Sequence, residues 1–269
     1  MERMTRSFQL VGQSCRVLMN DSELMLLPLA SGIVMGATIA TFVLGSGIDA
    51  RTIDARGPEL YVPLFFLYVV LYAVGIFFQC AVVAGATERM RGGSPTILSA
   101  LGAASRRIVA ILIWSFLAAT IGMALRAIQD RVGLVGKLVV GLIGAAWSLA
   151  TYFVVPVLVL EDIYVGDVLS RSVDIFKENW GEAFVGGASL GFASFCAWVA
   201  LAVLTAALWS AIGRPALILF GTGAILLAMF FSALQGVFVA ALYRYATEGD
   251  VPAGFDKWTL ASAFVEKRD

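Results

Sequence analysis

The chain has 269 residues, of which 60% are hydrophobic and 14% are charged, and its 19 basic residues equal its 19 acidic residues. A soluble domain is nearer half apolar and a quarter charged, so the composition excludes an ordinary soluble globular protein. The neutral balance gives no electrostatic basis for a nucleic-acid partner. The sequence contains no histidine, which removes imidazole-based catalysis and metal binding. We therefore expect no catalytic residue, no metal and no cofactor.

Six long apolar runs dominate the sequence. A helix needs about 20 apolar residues to cross the hydrocarbon core of a bilayer, and each run approaches or exceeds that length. We predict an all-α membrane protein with a single domain over residues 1–269 and a short cytoplasmic tail at 244–269. The predicted spans cover residues 24–48, 60–86, 108–128, 138–160, 183–211 and 215–243. The third span passes Arg126, whose long side chain can reach the interface.

A short amphipathic segment precedes the first span. Its apolar residues recur at helical spacing, including Val11, Cys15 and Leu18, and it ends in Asn20-x-x-Glu23. This is a capping-box pattern, in which Asn caps a new helix and Glu bonds back to it. We predict an in-plane helix here. The first apolar run is too long for the hydrophobic region of a signal peptide, so we expect no cleavable leader.

Between spans 2 and 3 lies a second short segment of helical composition, SPTILSALGAASRRIVAIL, at residues 94–112. It lacks the Asn-x-x-Glu pattern, so it represents a divergent copy of the same kind of element. Span 4 contains Pro156, which predicts a kink. The acidic residues Glu161 and Asp162 end that span, and a solvated helix end is favoured over an acidic pair.

The third segment, GDVLSRSVDIFKENWGEAFVGG at residues 166–187, lies between spans 4 and 5. Its spacing predicts a helix over 165–180, which Phe176 and Trp180 anchor against the inner leaflet or the bundle. Support for the next span is the favoured role, because the polar face mixes both signs of charge and a reader of anionic lipid would be more basic. Docking to the membrane surface or to a partner stays open as the alternative.

These segments indicate an internal three-fold repeat. Each copy consists of an in-plane helix, a span, a short outer turn and a second span, so the six spans form three antiparallel hairpins. The Gly-Arg-Pro sequence at residues 213–215 is a clear turn signal. Thirteen Lys and Arg residues lie on the side of the termini and in-plane helices, against six on the other side. The positive-inside rule then places both termini in the cytoplasm.

Four neutral polar residues fall at similar depth within the predicted spans: Gln79 in span 2, Thr151 and Tyr152 in span 4, and Gln235 in span 6. They form a candidate polar layer with two interpretations. Hydrogen bonding between helices is the more common use of such residues in membranes and is favoured. A path for a solute or water is the alternative.

Several stretches resemble an uncharacterised bacterial family of six-span membrane proteins. They are AVVAGATERMRGG (81–93), AWSLATYFVVPVLVLED (146–162), RSVDIFKENWGEAFVGG (171–187) and ALYRYATEGDVPAGFD (241–256). The resemblance runs from about residue 16 to residue 264. That family is similar in plan to the membrane domain found beside some glycerophosphodiester phosphodiesterases. The resemblance implies a multi-pass protein of the bacterial inner membrane, and it carries no catalytic residue to this chain.

These observations favour a non-enzymatic scaffold or accessory factor whose surroundings are the lipid bilayer. A membrane-protein partner or a homo-oligomer is compatible with small-residue pairs such as Gly32-x-x-x-Gly36, which permit close helix contact. The alternative is a transporter or channel for a small or lipidic solute through the polar layer. Apart from Arg126 near the end of span 3, no acidic or basic residue lies in a predicted span, so no span interior carries a charge. This argues against an ion-coupled relay of the usual kind.

Overall fold

The computed structural model describes residues 12, 14–15, 18–19, 22–46, 61–178 and 180–249, and for 22, 180–189 and 210–212 only the backbone. These residues form nine α-helices and two short 3-10 turns, Ser22–Met25 and Val165–Asp167. The helices are α1 (Leu26–Ser46), α2 (Tyr61–Met90), α3 (Ile97–Arg106), α4 (Ile108–Arg131), α5 (Leu134–Ala150), α6 (Val154–Leu160), α7 (Val168–Glu178), α8 (Trp180–Ile212) and α9 (Pro215–Glu248).

Among the described residues, six helical stretches are long and apolar enough to cross a membrane, which agrees with the predicted number of spans. They are α1 with the turn before it, α2, α4, α5 together with α6, α8 and α9. The chain is therefore a multi-pass membrane protein. Helices α2 and α9 continue to Met90 and Glu248, beyond the predicted ends at 86 and 243. The predicted tail thus begins as helix, and Gly249, with a φ of 68°, ends it.

Helix α2 lies at the centre of the packing and contacts α1, α3, α4, α6 and α9. Its residues from Cys80 to Val83 are buried, as is Ala86. Helix α9 contributes a matching buried stretch from Gly236 to Arg244. The two stretches approach closely because Gly236 has no side chain, and a Cβ atom at this position would lie 2.5 Å from Val82 Cγ1.

Burial is concentrated at one end of the bundle, which we call the elbow face. It comprises helices α3 and α7 together with the ends of α2, α6 and α9 that pack against them. At the opposite end the large apolar side chains are exposed, for example Leu44, Tyr61, Leu134 and Ile218 at 70–83%. The helices therefore pack tightly at the elbow face and separate toward the other end, where apolar side chains are left for lipid.

The fourth span is not a continuous helix. Residues 151–153 form a turn between α5 and α6. The predicted kink at Pro156 is thus a break in the helix that precedes the proline. A proline ring provides no backbone N–H and clashes with the carbonyl four residues earlier, here that of Tyr152. The helix consequently ends before this position and restarts at Val154.

The short helices α3 and α7 occupy the segments before spans 3 and 5. Thr96 begins α3 with a capping box, in which its hydroxyl accepts a bond from the Ser99 backbone and the Ser99 hydroxyl accepts one from the Thr96 backbone. Thr and Ser therefore cap the segment that lacks Asn-x-x-Glu. Of the first segment, Leu18 is buried and Cys15 half-buried, both in helical conformation. Its Val11 and its Asn cap lie outside the described residues.

Candidate functional site

The break in the fourth span is held by a side chain from α7. The Ser172 hydroxyl is fully buried. It donates a hydrogen bond to the Ala150 carbonyl at 2.7 Å and accepts one from the Phe153 backbone N–H at 3.1 Å. Since a buried backbone group without a partner is costly, this one hydroxyl satisfies a backbone group on each side of the break. Helix α7 is thereby fixed against the fourth span.

Glu161, one residue past the end of α6, connects three elements. Its carboxylate accepts two hydrogen bonds from Arg171 Nε of α7, at 3.0 and 3.1 Å. It also accepts a 2.6 Å bond from the Tyr243 hydroxyl of α9. Glu161 was expected to be a solvated helix end, but its side chain is only 18% exposed and its charge is paired. It therefore joins the fourth span, α7 and the sixth span.

The neighbouring acidic residue, Asp162, has a different basic partner from Glu161. Asp162 forms an ion pair with Arg107, which lies just before α4. Its side chain is 90% exposed, so the pair contributes little to stability. Glu161 and Asp162 thus have separate basic partners, and the acidic pair considered from the sequence is not formed.

A third charged group links α2 and α9. Glu248 accepts bonds from Arg244 Nε and Nη2, at 2.9 and 2.7 Å, and from Arg91 Nη2 at 2.7 Å. The Arg244 side chain is only 8% exposed, and its Nη1 is buried without a hydrogen-bond partner. From the sequence, Arg244 was predicted to begin the cytoplasmic tail. In the structure it belongs to the packed part of α9.

The predicted anchors of the α7 helix are only partly as expected. Phe176 is half-buried, and its ring centre lies 6.1 Å from that of Tyr152 beside the helix break. Trp180 does not belong to this helix, because α7 ends at Glu178 and Trp180 is the first residue of α8. The side chain of Trp180 lies outside the described residues.

Gln79 is a half-buried member of the predicted polar layer. Its Oε1 is buried and has no hydrogen-bond partner. A Cβ atom placed on Gly236 of α9 would lie 3.1 Å from this oxygen. The Gln79 carboxamide therefore packs against the backbone of α9 at the point where α2 and α9 are closest.

The other three members point elsewhere. Gln235 is exposed, so its neighbour Gly236 and not Gln235 itself meets Gln79. The Thr151 hydroxyl donates to the Trp147 carbonyl of its own helix at 2.9 Å. Tyr152 packs its ring against Phe153 and Phe176. The structure thus does not bring Gln79 and Gln235 together as the layer required, since helix rotation, and not depth alone, decides which side chains meet.

Two apolar grooves meet at Gln79. The first lies between α1, α2 and α9 and has a volume of about 610 Å³. The second has a volume of about 350 Å³ and extends along α2 toward Val155 of α6. Gln79, Gly75 and Met35 line both grooves. Met35 Cε lies 3.1 Å from where a Cβ of Gly75 would be, so this methionine stands between the two grooves.

The two carboxylates at the elbow face are held in place by their partners. Glu161 accepts hydrogen bonds from Arg171 and Tyr243, and Glu248 accepts them from Arg244 and Arg91. Among the described residues, no group of three or more His, Cys, Asp or Glu side chains is placed to hold a metal ion. The cysteines of the described part are free thiols, and Cys80 is buried among apolar residues.

Ser172 could not be identified from the sequence, because it carries no distinctive motif. The ion pair of Arg244 with Glu248 could have been predicted from the sequence, because side chains four residues apart on a helix are neighbours. The long-range partners have no such signal, since Glu161 and Tyr243 are 82 residues apart in the chain.

No curated protein and no solved structure matches the chain significantly. A family model matches residues 59–255, nearly three-quarters of the chain, and its family has no known function. The expected membership of an uncharacterised family is thus confirmed. The likeness to the membrane domain of glycerophosphodiester phosphodiesterases and the bacterial origin stay predictions. The chain, whose described residues include six helices long enough to span a membrane, belongs to the family of unknown function DUF6159.

Proposed function

We propose that this protein is a non-enzymatic scaffold or accessory factor of the bacterial inner membrane, which presents the elbow face to a partner protein. The observation that carries the proposal is the fixation of α7 by Ser172 and Glu161 to the fourth and sixth spans. A helix held in this way offers a surface of constant shape. Its outward residues Asp174, Lys177 and Glu178 are exposed and available to a partner.

The proposal includes an orientation and a repeat. Both termini and the elbow face lie in the cytoplasm, and this is supported by the excess of Lys and Arg on that side. The six spans form three antiparallel hairpins, each preceded by an in-plane helix. Packing of α1 on α2, of α4 on α5 and of α8 on α9 supports the hairpins, and the positions of α3 and α7 before spans 3 and 5 support the repeat.

An accessory role also agrees with the resemblance seen in the sequence, because a membrane domain of similar plan is found beside a soluble phosphodiesterase. The absence of histidine from the sequence and the engagement of Glu161 and Glu248 in ion pairs support a non-enzymatic function. Gln235 is exposed and the Thr151 hydroxyl bonds within its own helix, which counts against a single hydrated path lined by the four residues of the predicted polar layer.

Site-specific photo-crosslinking in cells tests the proposal. A photoreactive amino acid at Lys177, on the outward side of α7, is expected to give one discrete protein adduct. The same amino acid at Leu142, which is 72% exposed on α5, is the control and is expected to give none. Ser172→Ala is expected to weaken the Lys177 adduct, because α7 loses its attachment to the fourth span. Equal adducts at both positions, or none at Lys177, would refute the scaffold role.

A second candidate, a transporter or channel for a small or lipidic solute, is favoured by one specific observation. The fourth span is interrupted at residues 151–153, and interrupted spans mark binding sites in many transporters. Reconstitution of the purified protein in vesicles tests this candidate. Solute flux or lipid translocation above that of empty vesicles, reduced by Ser172→Ala, would place the transporter first. Flux equal to that of empty vesicles leaves the scaffold as the conclusion.

A further inference from the structure

We propose that two copies of the chain associate side by side in the membrane through α9, with the Gln235 carboxamides of the two copies hydrogen-bonded to each other. The inference is independent of the partner proposed for the elbow face. It rests on the position of Gln235 in the sixth span, on the exposure of its unpaired side chain, and on the small residues that precede it on the same side of α9.

Gln235 is an exposed amide in the packed half of α9. Its two neighbours in the sequence, Leu234 and Gly236, are buried, whereas Gln235 itself is exposed. No described residue forms a hydrogen bond with its carboxamide. A carboxamide can donate two hydrogen bonds and accept two, so within one copy the full bonding capacity of this side chain is unused.

The distance of Gln235 from the nearest charges on α9 places it in the apolar part of the bilayer. It lies nine residues before Arg244 and 21 residues after Arg214, or about 14 and 32 Å along the helix axis. The polar interface on each side of the hydrocarbon core is only about 5–7 Å thick. An unpaired amide at this depth has no water to bond, which is unfavourable.

Exposed hydroxyl groups elsewhere in the spans bond within their own helix. Thr38, Thr120 and Thr222 each donate to the carbonyl four residues earlier, at 2.7–3.0 Å. Gln235 makes no bond of this kind. Because glutamine side chains in membranes hydrogen-bond across helices, the amide is expected to find its partner on a helix outside the chain.

A second copy is the partner that the geometry favours. Two copies with the same orientation in the membrane carry Gln235 at the same depth, which no other protein is bound to do. A two-fold axis along the membrane normal brings the same surface of both copies together. Since a carboxamide is both donor and acceptor, each Gln235 can donate one hydrogen bond across this axis and accept one, and no charge is introduced into the membrane.

The surface beside Gln235 allows two α9 helices to approach each other. Gly221 and Ala228 precede Gln235 by fourteen and seven residues, a heptad spacing that keeps all three on one side of a helix. Both are exposed, and a Cβ atom at Gly221 would have no neighbour within 4 Å. Small residues let helix backbones come close in membranes, and a single polar residue in a heptad interface fixes its register.

Cysteine crosslinking in lipid vesicles tests the proposal. In a cysteine-free background, Ala228→Cys is expected to give a disulfide-linked dimer on oxidation, because the same residue of the second copy lies across the axis. Leu226→Cys is the matched control, because Leu226 is 59% exposed on the same helix. It lies nine residues before Gln235, which is two and a half helical turns, so it faces the opposite side of α9 and is expected to give no dimer.

Replacement of the amide measures its contribution to association. Energy transfer between fluorescently labelled copies, in vesicles of varied protein-to-lipid ratio, gives the dimerisation constant. Gln235→Leu is expected to weaken the dimer roughly five- to thirtyfold, which corresponds to about 1–2 kcal/mol. Gln235→Asn keeps the carboxamide and is expected to retain most of the association.

Three outcomes would overturn the proposal. Equal crosslinking at Ala228 and Leu226, or none at either, would mean that this side of α9 does not join two copies. A dimer of unchanged strength with Gln235→Leu would remove the amide from the contact. A photoreactive amino acid at Ala228 that gives an adduct with a different protein in cells, and no dimer, would assign this surface to another membrane protein. None of these results depends on crosslinking at Lys177, so failure here and failure of the scaffold role are distinguishable.

Discussion

Replacing Ser172 by alanine removes one oxygen atom and breaks two hydrogen bonds at the interrupted fourth span. The Ala150 carbonyl and the Phe153 N–H, which lie 2.7 and 3.1 Å from this oxygen, then lose their partner in a fully buried place. Each unsatisfied buried group costs about 1–3 kcal/mol. Alanine returns roughly 0.5 kcal/mol through its higher helix propensity. We expect a net loss of about 1.5–5.5 kcal/mol in the free energy of unfolding.

Reversible unfolding in mixed detergent micelles measures this loss, and amide hydrogen exchange locates it. Exchange is expected to accelerate at residues 150–154 before it changes elsewhere. Ser115→Ala is the matched control, because Ser115 is equally buried and its hydroxyl donates at 2.6 Å to the Ile111 carbonyl of its own helix. That carbonyl keeps its helical partner after the substitution, so a change below about 0.5 kcal/mol is expected.

Equal stability losses for Ser172→Ala and Ser115→Ala would contradict the assigned role of the Ser172 hydroxyl. Such a result would mean that the broken span satisfies its own backbone groups, through water or a local rearrangement. A loss at Ser172 without faster exchange at 150–154 would also count against it, because the stability would then come from packing of α7 and not from the two hydrogen bonds.

Three further predictions concern the packing and the topology. Phe176→Asp is expected to cost about 1–2 kcal/mol, because Phe176 is half-buried and full burial of such a side chain is worth roughly 1.5–3 kcal/mol. Asp174→Ala on the exposed side of α7 is expected to change stability by less than about 0.5 kcal/mol. Gly236→Ala is expected to lower the melting temperature in detergent, because overpacking costs about 1–3 kcal/mol and the gain in helix propensity is only about 1 kcal/mol. In a cysteine-free background, a cysteine at Arg214 is expected to react with an impermeant thiol reagent in intact cells, and one at Ser94 is not.

Controls and contrary outcomes are available for each of the three. Equal effects of the two α7 substitutions would mean that its amphipathic spacing was misread. Gly221→Ala is the control for Gly236→Ala, because a Cβ at Gly221 has no neighbour within 4 Å and the substitution is expected to stabilise. A gain of the same size at both glycines would contradict the close contact of α2 and α9. Labelling at Ser94 but not at Arg214 would reverse the orientation.

The number of spans could be predicted from the sequence because it depends on a local property. A run of about 20 apolar residues satisfies its backbone within its own helix and its side chains in lipid, so no information about distant residues is needed. The same holds for α7, whose apolar residues recur at helical spacing, for α3, whose segment is helical in composition, and for Pro156, whose ring acts on the residue four positions earlier. Boundaries were less accurate, because polar residues at the interface can continue a helix that hydropathy alone would end.

The tertiary structure decided which polar groups meet. Gln79 and Gln235 have similar depth in their spans, yet the rotation of α9 turns Gly236 toward Gln79 and leaves Gln235 exposed. Glu161 finds Arg171 and Tyr243 on two other elements, and Ser172 reaches the backbone on both sides of the break in span 4. The depth of a residue along its helix can be calculated from the sequence, because each residue adds 1.5 Å. The direction of a side chain toward a partner depends on how whole helices pack, which is set by many contacts between residues distant in the chain.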